Sequence, residues 1–152
     1  MTRAPFQVIV IPFRRTGGSR KFAIFRRSDS GYWQTIAGGG EDDETTIDAA
    51  RREALEEAGI ESGVFYQLKC LDMVPVVNFM AHTQWPEDLY VIPQHTFAVE
   101  VTSRELKLSA EHTAYQWLSY AEAAATLYWQ SNKSAVWELN ERLKNNDLPT
   151  SS

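Results

Sequence analysis

Residues 38–60 of this 152-residue chain read GGGEDDETTIDAARREALEEAGI, and that spacing of glycine, threonine, alanine and glutamate leaves few conformations open. Thr45 or Thr46 is placed to cap a helix, the Ala-rich run behind it favours one, and Gly59 stands where a left-handed residue ends one. The spacing predicts a glycine loop at 38–40, where tight or left-handed backbone is tolerated, followed by a helix over 46–58. Ile47, Ala50, Ala54 and Ala58 recur at three- and four-residue steps, which makes an inward face small enough to lie close on a sheet.

The rest of the chain reads as mixed α and β. Residues 6–13 and 21–26 are apolar runs separated by Thr16, Gly17, Gly18 and Ser19, a turn signal, so they should pair as a hairpin. Residues 32–37 lead into the glycines as a short strand, 64–77 read as one long strand or two, and 90–101 as another, with Trp85, Pro86, Glu87 and Asp88 in a loop between them. Residues 111–118 are extended. Ser119 starts a helix with Glu122 in capping-box position, Ser131 or Asn132 caps a last helix through Leu143, and the polar tail from about residue 145 to 152 is expected to fray. No repeat or linker interrupts the chain, so one domain over 1–152 is expected.

Composition narrows the function classes. A net charge of −5 argues against a nucleic-acid-binding surface, which needs concentrated Lys and Arg. The N-terminal MTRAPFQVIVIPF is too short an apolar run for a signal peptide, and no stretch is long enough to span a bilayer, so a cytoplasmic protein without a membrane partner is expected. Cys70 is the only cysteine, which rules out an intrachain disulfide and reads as a buried structural thiol. The sequence leaves monomer or homodimer open.

The chemistry lies on the outer face of the 46–58 helix. Glu53, Glu56 and Glu57 stand at i, i+3 and i+4, so three like charges converge on one patch. A polyvalent cation is the natural neutraliser, and carboxylate oxygens suit Mg²⁺ or Mn²⁺. EALEE alone would equally suit a solvated helix, with Arg52 and Glu56 or Arg51 and Asp48 as surface pairs. The fixed distances to Gly38, Glu44, Arg52 and Gly59 tip the balance: at average residue usage, seven such letters coincide at a given start less than about once in 10⁸.

These residues are similar to the Nudix box, G-x5-E-x7-R-E-U-x-E-E-x-G-U with U aliphatic, and depart from it softly at Ala54. The resemblance implies an α/β/α sandwich with a mixed sheet and hydrolysis of a diphosphate linkage with Mg²⁺ or Mn²⁺ as cofactor. It implies Glu53, Glu56 and Glu57 as metal-binding carboxylates, with the Gly38 carbonyl a further ligand. Arg52 and Glu44 would orient them, and Gly39, lacking a Cβ, would let metal or phosphate approach the backbone. The base that takes a proton from the attacking water would be one of these glutamates or one outside the box.

A second resemblance concerns the substrate. EHTAYQWLSYAEAAATLYWQSNKSAV (111–136) and FRRSDSGYWQTIAGG (25–39) resemble segments of the bacterial dihydroneopterin triphosphate pyrophosphatase branch, also described as dATP pyrophosphohydrolases. That likeness implies Glu111 as a metal-reaching glutamate and Arg26 as a phosphate or substrate contact. Trp33, Phe79, Trp85, Tyr128 and Trp129 are candidates to stack on a base or pterin ring, or else to fill the core. His112, beside Glu111, would orient it or serve the fold. Ala37 and the GGGED turn depart from the branch near the expected substrate. Three readings follow: a pyrophosphohydrolase of a nucleoside-triphosphate-like substrate, a hydrolase of a sugar nucleotide or dinucleoside polyphosphate, and a non-catalytic ligand sensor. The last is disfavoured because all four box glutamates are kept.

Overall fold

In the computed structural model, which describes residues 2–149, the two N-terminal apolar runs form the expected antiparallel pair. They are β1 (Arg3–Thr16) and β2 (Ser19–Arg27), joined at Gly17 and Gly18, both with positive φ. β1 is the hub of the sheet. Its first part lies antiparallel to β4 (Ile36–Glu41), its middle runs parallel to β6 (Val91–Glu100), and its end meets β2. β3 (Trp33–Gln34) and β7 (His112–Leu118) both pair with β2, and β5 (Val64–Pro75) flanks β6, giving one seven-stranded mixed sheet.

Strand alternation sorts the apolar side chains into two layers. Val8, Val10, Ala23, Phe25, Phe97 and Val99 meet Ala49, Ala50, Ala54 and Ala58 of α1 (Thr46–Ala58). Ile9, Ile11, Phe13, Phe22 and Ile24 meet Ala123 of α2 (Tyr120–Thr126) and Ala135, Val136 and Leu139 of α3 (Gln130–Lys144). Helices on both faces make the architecture an α/β/α sandwich, and burial on both faces is why β1 reads as an unbroken apolar run. Each buried Phe or Ile contributes about 1.5–3 kcal/mol by transfer from water. The alanines of α1 forgo that gain and let the helix sit close on the sheet.

α1 has the predicted bounds. Thr45 is its N-cap in a capping box with Asp48, and Gly59 closes it at φ 68°. α2 likewise starts at a Ser119–Glu122 capping box.

Four expectations are corrected. Residues 38–40 are not a loop: they lie inside β4, with no positive φ, and their lack of side chains serves close packing. A Cβ on Gly38 would stand 2.0 Å from the Glu53 carboxyl carbon, on Gly39 1.8 Å from Arg3 Cζ, and on Gly40 2.1 Å from Phe6 Cζ. α3 begins at Gln130 with Trp129 as N-cap and no side-chain cap bond; Asn132 instead accepts a hydrogen bond from the buried Thr35 amide at 3.0 Å. The tail turns back: the Asp147 amide donates to Arg142 O at 2.8 Å, and Leu148 packs on the core, while residues 150–152 of the expected frayed tail lie outside the described residues. Cys70 is half-buried, and burial pushes its thiol up to about 11, which keeps it protonated at neutral pH.

β5 is one strand whose register slips between Gln67 and Leu71. There the free Lys69 and Cys70 amides donate to the Glu138 carboxylate of α3, both at 2.8 Å. Among the described residues, no helix is long and apolar enough to cross a membrane.

Candidate active site

Arg52 organises the acidic face of α1. Its Nε and Nη2 donate to the two carboxylate oxygens of Glu44 at 2.9 and 3.0 Å, and Nη1 donates to Glu53 Oε1 at 2.9 Å and Glu56 Oε2 at 3.2 Å. Nη2 also donates to the Gly39 carbonyl at 2.8 Å. Five contacts from one planar guanidinium thus join α1, β4 and the turn between them, a geometry that lysine could not supply. Glu44 also accepts from the Glu41 amide at 2.8 Å, and the Arg52 bonds hold its carboxyl below the ordinary range. The Gly39 carbonyl is therefore engaged by Arg52.

Glu53 and Glu57 are buried while Glu56 is half exposed. Burial raises the Glu53 carboxyl, with Arg52 acting against it. Glu57 is more extreme: it is 2% exposed, and neither carboxylate oxygen has a hydrogen-bond partner. Burial first, then the carboxylates of Glu53 and Glu111, push its pKa far up. Glu111, exposed in the turn just before β7, thus reaches the same cluster from another part of the chain. Glu57 interacts with both Glu53 and Glu111, while Glu44 and Glu56 are held by Arg52.

The other expected contacts are placed differently. Arg26 pairs with Trp33 and Ala114 across β2, and Trp33 packs in the α2–α3 layer, so the register sets Arg26 on the sheet face away from α1. Arg27, its neighbour, feels the charges of Glu111 and Glu57 and is bound in bidentate fashion to Asp29 at 2.9 Å. Tyr128 is stacked on Tyr32 at 3.8 Å with Trp129 edge-on at the β3 margin.

One residue at the site, Arg3, belongs to no sequence motif. Arg3 lies over Gly39 with its charge beside Glu53, its guanidinium 5.3 Å from the Phe79 ring and 5.6 Å from Trp85. Its donors meet the carbonyls of Ala4 and Phe6 and the Gln7 amide oxygen. Trp85 is anchored in turn by its indole N–H on the Arg3 carbonyl at 2.8 Å. Only the register of Arg3 with Glu41 brings this cation to the acidic cluster. His112 follows Glu111 in the chain, yet its ring stands against Glu57, with Nδ1 3.7 Å from Oε1.

Whether these residues suit a divalent cation is answered by their chemistry. Among the described residues, no three His, Cys, Asp or Glu side chains are gathered as a finished metal centre, since Arg52 draws Glu53 and Glu56 toward itself. The donor set is nonetheless all carboxylate oxygen. It contains a buried pair of oxygens without partners, and it borders a glycine backbone where Gly38 leaves no Cβ in the way. Hard divalent cations fit such a set. A cavity of about 500 Å³ at the C-terminal end of α1, lined by Ile60, Glu61, Val101 and Leu106 among others, is separate from it.

Known proteins share this chain's sequence and fold. A profile of the NUDIX domain matches residues 4–138. The dihydroneopterin triphosphate diphosphatase of Escherichia coli K12 is 29% identical over 147 residues, covering 88% of this chain and 91% of that protein. The asymmetrical bis(5′-nucleosyl)-tetraphosphatase of Sus scrofa is 30% identical over 108 residues, covering 70% of this chain and 69% of that one. Among solved structures, one from Listeria monocytogenes described as a NUDIX hydrolase superposes with a TM-score of 0.87 at 40% identity, covering 97% of this chain and 99% of the other. The E. coli dihydroneopterin triphosphate pyrophosphohydrolase shares the fold at a TM-score of 0.73 and 22% identity, covering 91% and 98%. Nudix hydrolases act on phosphoanhydride bonds of small phosphorylated substrates and generally require divalent metal ions. With the acidic helix braced by Arg52, the glycine strand beside it and this match over most of its length, the chain belongs to the Nudix hydrolase family.

Proposed function

We propose that the protein is a Mg²⁺-dependent pyrophosphohydrolase, with Mn²⁺ as an alternate ion, that cleaves a nucleoside-triphosphate-like substrate to a monophosphate and pyrophosphate. Dihydroneopterin triphosphate and dATP are the candidate substrates. The observation that carries the reading is Glu57, a buried carboxylate with no partner for either oxygen, beside Glu53 and Glu111. A charge so placed is unfavourable unless something cationic joins it. Glu53, Glu56, Glu57, Glu111 and the Gly38 carbonyl would hold the ion, which when bound neutralises charge on diphosphate oxygens and lowers the pKa of water.

This chain's own residues supply the rest. Arg52 fixes the orientation of Glu44, Glu53 and Glu56. Arg3, held over Gly39 between Phe79 and Trp85, offers a guanidinium to substrate phosphate. The proton of the attacking water goes to a carboxylate of the cluster, one of the glutamates of α1 or Glu111. The name of the E. coli relative supports a triphosphate substrate.

A second reading, hydrolysis of a dinucleoside polyphosphate, is favoured by the likeness to the Sus scrofa enzyme. A substrate panel with product analysis separates them. Pyrophosphate plus a monophosphate supports the first, and two nucleotide products support the second. Glu53→Gln and Glu57→Gln should both abolish Mg²⁺-dependent turnover; unchanged turnover in either would defeat the catalytic reading.

A further inference from the structure

His112 opens β7 in register with Arg27 of β2, and its side chain is fully buried, with the Phe25 ring 5.3 Å away. Neither ring nitrogen has a hydrogen-bond partner, and neither does either oxygen of Glu57. Buried polar groups are nearly always satisfied, so four such atoms on two neighbouring side chains call for a common explanation. The two groups approach each other at Nδ1 and Oε1, 3.7 Å apart. Closing by about 0.8 Å would bring them to ordinary N–H···O distance.

The tautomer follows from the geometry. A neutral imidazole carries one N–H. With Glu57 ionised, as it is once a cation joins the cluster, a proton on Nδ1 satisfies a donor and an acceptor together, whereas a proton on Nε2 leaves a buried N–H and the facing Oε1 without each other.

We propose that His112 is the positioning residue of Glu57: its neutral ring donates Nδ1–H to Glu57 Oε1 and so turns Oε2 toward Glu53 and Glu111. The inference rests on the metal-dependent reading above and deepens it. A carboxylate free to rotate presents either oxygen, whereas one pinned at Oε1 presents the other. The hydrogen bond serves as does the outer partner of a metal-site ligand, and loss of such partners commonly costs about 10–100-fold in ion affinity or activity. The donor comes from the sheet and the ligand from α1, so the bond also fixes the helix face against β7 beside Glu111.

Three substitutions separate positioning from space-filling. The amide of His112→Asn stands near the Nδ1 site, that of His112→Gln near the Nε2 site, and His112→Phe keeps a ring without nitrogen. Mg²⁺ binding is measured by calorimetry without substrate, alongside kcat, KM and circular dichroism. His112→Phe and His112→Gln should weaken Mg²⁺ binding and lower kcat by about 10–100-fold with little change in KM, while His112→Asn stays within about threefold of wild type. Equal behaviour of the Asn and Phe variants overturns the proposal. So does a nitrogen-15 spectrum of the wild-type ring in saturating Mg²⁺ showing the proton on Nε2, a readout that needs no variant to fold. A wild type that binds no Mg²⁺ overturns the metal-dependent reading along with it, whereas intact binding with indifferent His112 variants overturns the His112 role alone.

Discussion

Replacing Glu57 by glutamine removes a buried titratable group from the acidic cluster. The side chain is 2% exposed and has the Glu53 and Glu111 carboxylates against it, so burial first and those neighbours second hold its pKa above the unfolded value of 4.5. Folding therefore takes up a proton at Glu57. Its share of stability is fully present below pH 4.5 and is lost as the pH rises toward the folded pKa. Each unit of that interval costs about 1.4 kcal/mol, so the roughly 3.5 units up to pH 8 set a ceiling of about 5 kcal/mol. Relaxation and water penetration reduce that, and about 2 kcal/mol is the expected net effect. For a domain of this size, 2 kcal/mol moves Tm by about 4–8 °C.

The assay is thermal unfolding of wild type and Glu57→Gln in chelator and in Mg²⁺, at several pH values. Without divalent ion at pH 8 the variant should melt about 4–8 °C above wild type, with the gap closing toward pH 4.5. In excess Mg²⁺ the order should reverse, because only the carboxylate gains from the ion. A variant no more stable than wild type in chelator, or a gap that does not change with pH, would refute the reasoning.

Arg52→Lys keeps the charge but loses the planar fork that holds Glu44, Glu53, Glu56 and the Gly39 carbonyl; activity should fall about 10–100-fold, with weaker Mg²⁺ binding by calorimetry. Asn132→Leu leaves the buried Thr35 amide without its acceptor and should cost about 1–3 kcal/mol in urea unfolding, with turnover per folded molecule unaffected. At Glu138, burial raises the carboxyl, but the Lys69 and Cys70 amides and Arg142 outweigh it and the pKa is lowered. Its stabilisation is present above pH 4.5 and lost as the pH falls through the folded value. Glu138→Gln should therefore cost about 1–2 kcal/mol at pH 7 and progressively less in acid, read from denaturation midpoints.

How far the sequence was legible follows the range of the forces involved. The bounds of α1 were readable because Thr45, Asp48 and Gly59 act within a turn of the backbone they terminate. The same holds for the capping box of α2 and the turn at Gly17 and Gly18. The glycines of β4 read as a loop in the sequence because the reason for them is distant. Arg3, Phe6 and Glu53 occupy the space their side chains would need. Asn132 looked like a cap, yet its amide serves Thr35, 97 residues away in the chain.

By itself, the sequence determined an acidic helix of fixed length with glutamates at i, i+3 and i+4, and with it the likeness to a hydrolase family. Helical periodicity and capping are local, so they survive without knowledge of the neighbours. Tertiary structure alone decided which of those glutamates is buried without a partner, and that His112 and Arg3 stand beside the cluster while Arg26 does not. Burial depends on what the sheet brings against the helix, and strand register, which assigns every second side chain to one face, is fixed by pairing between distant segments.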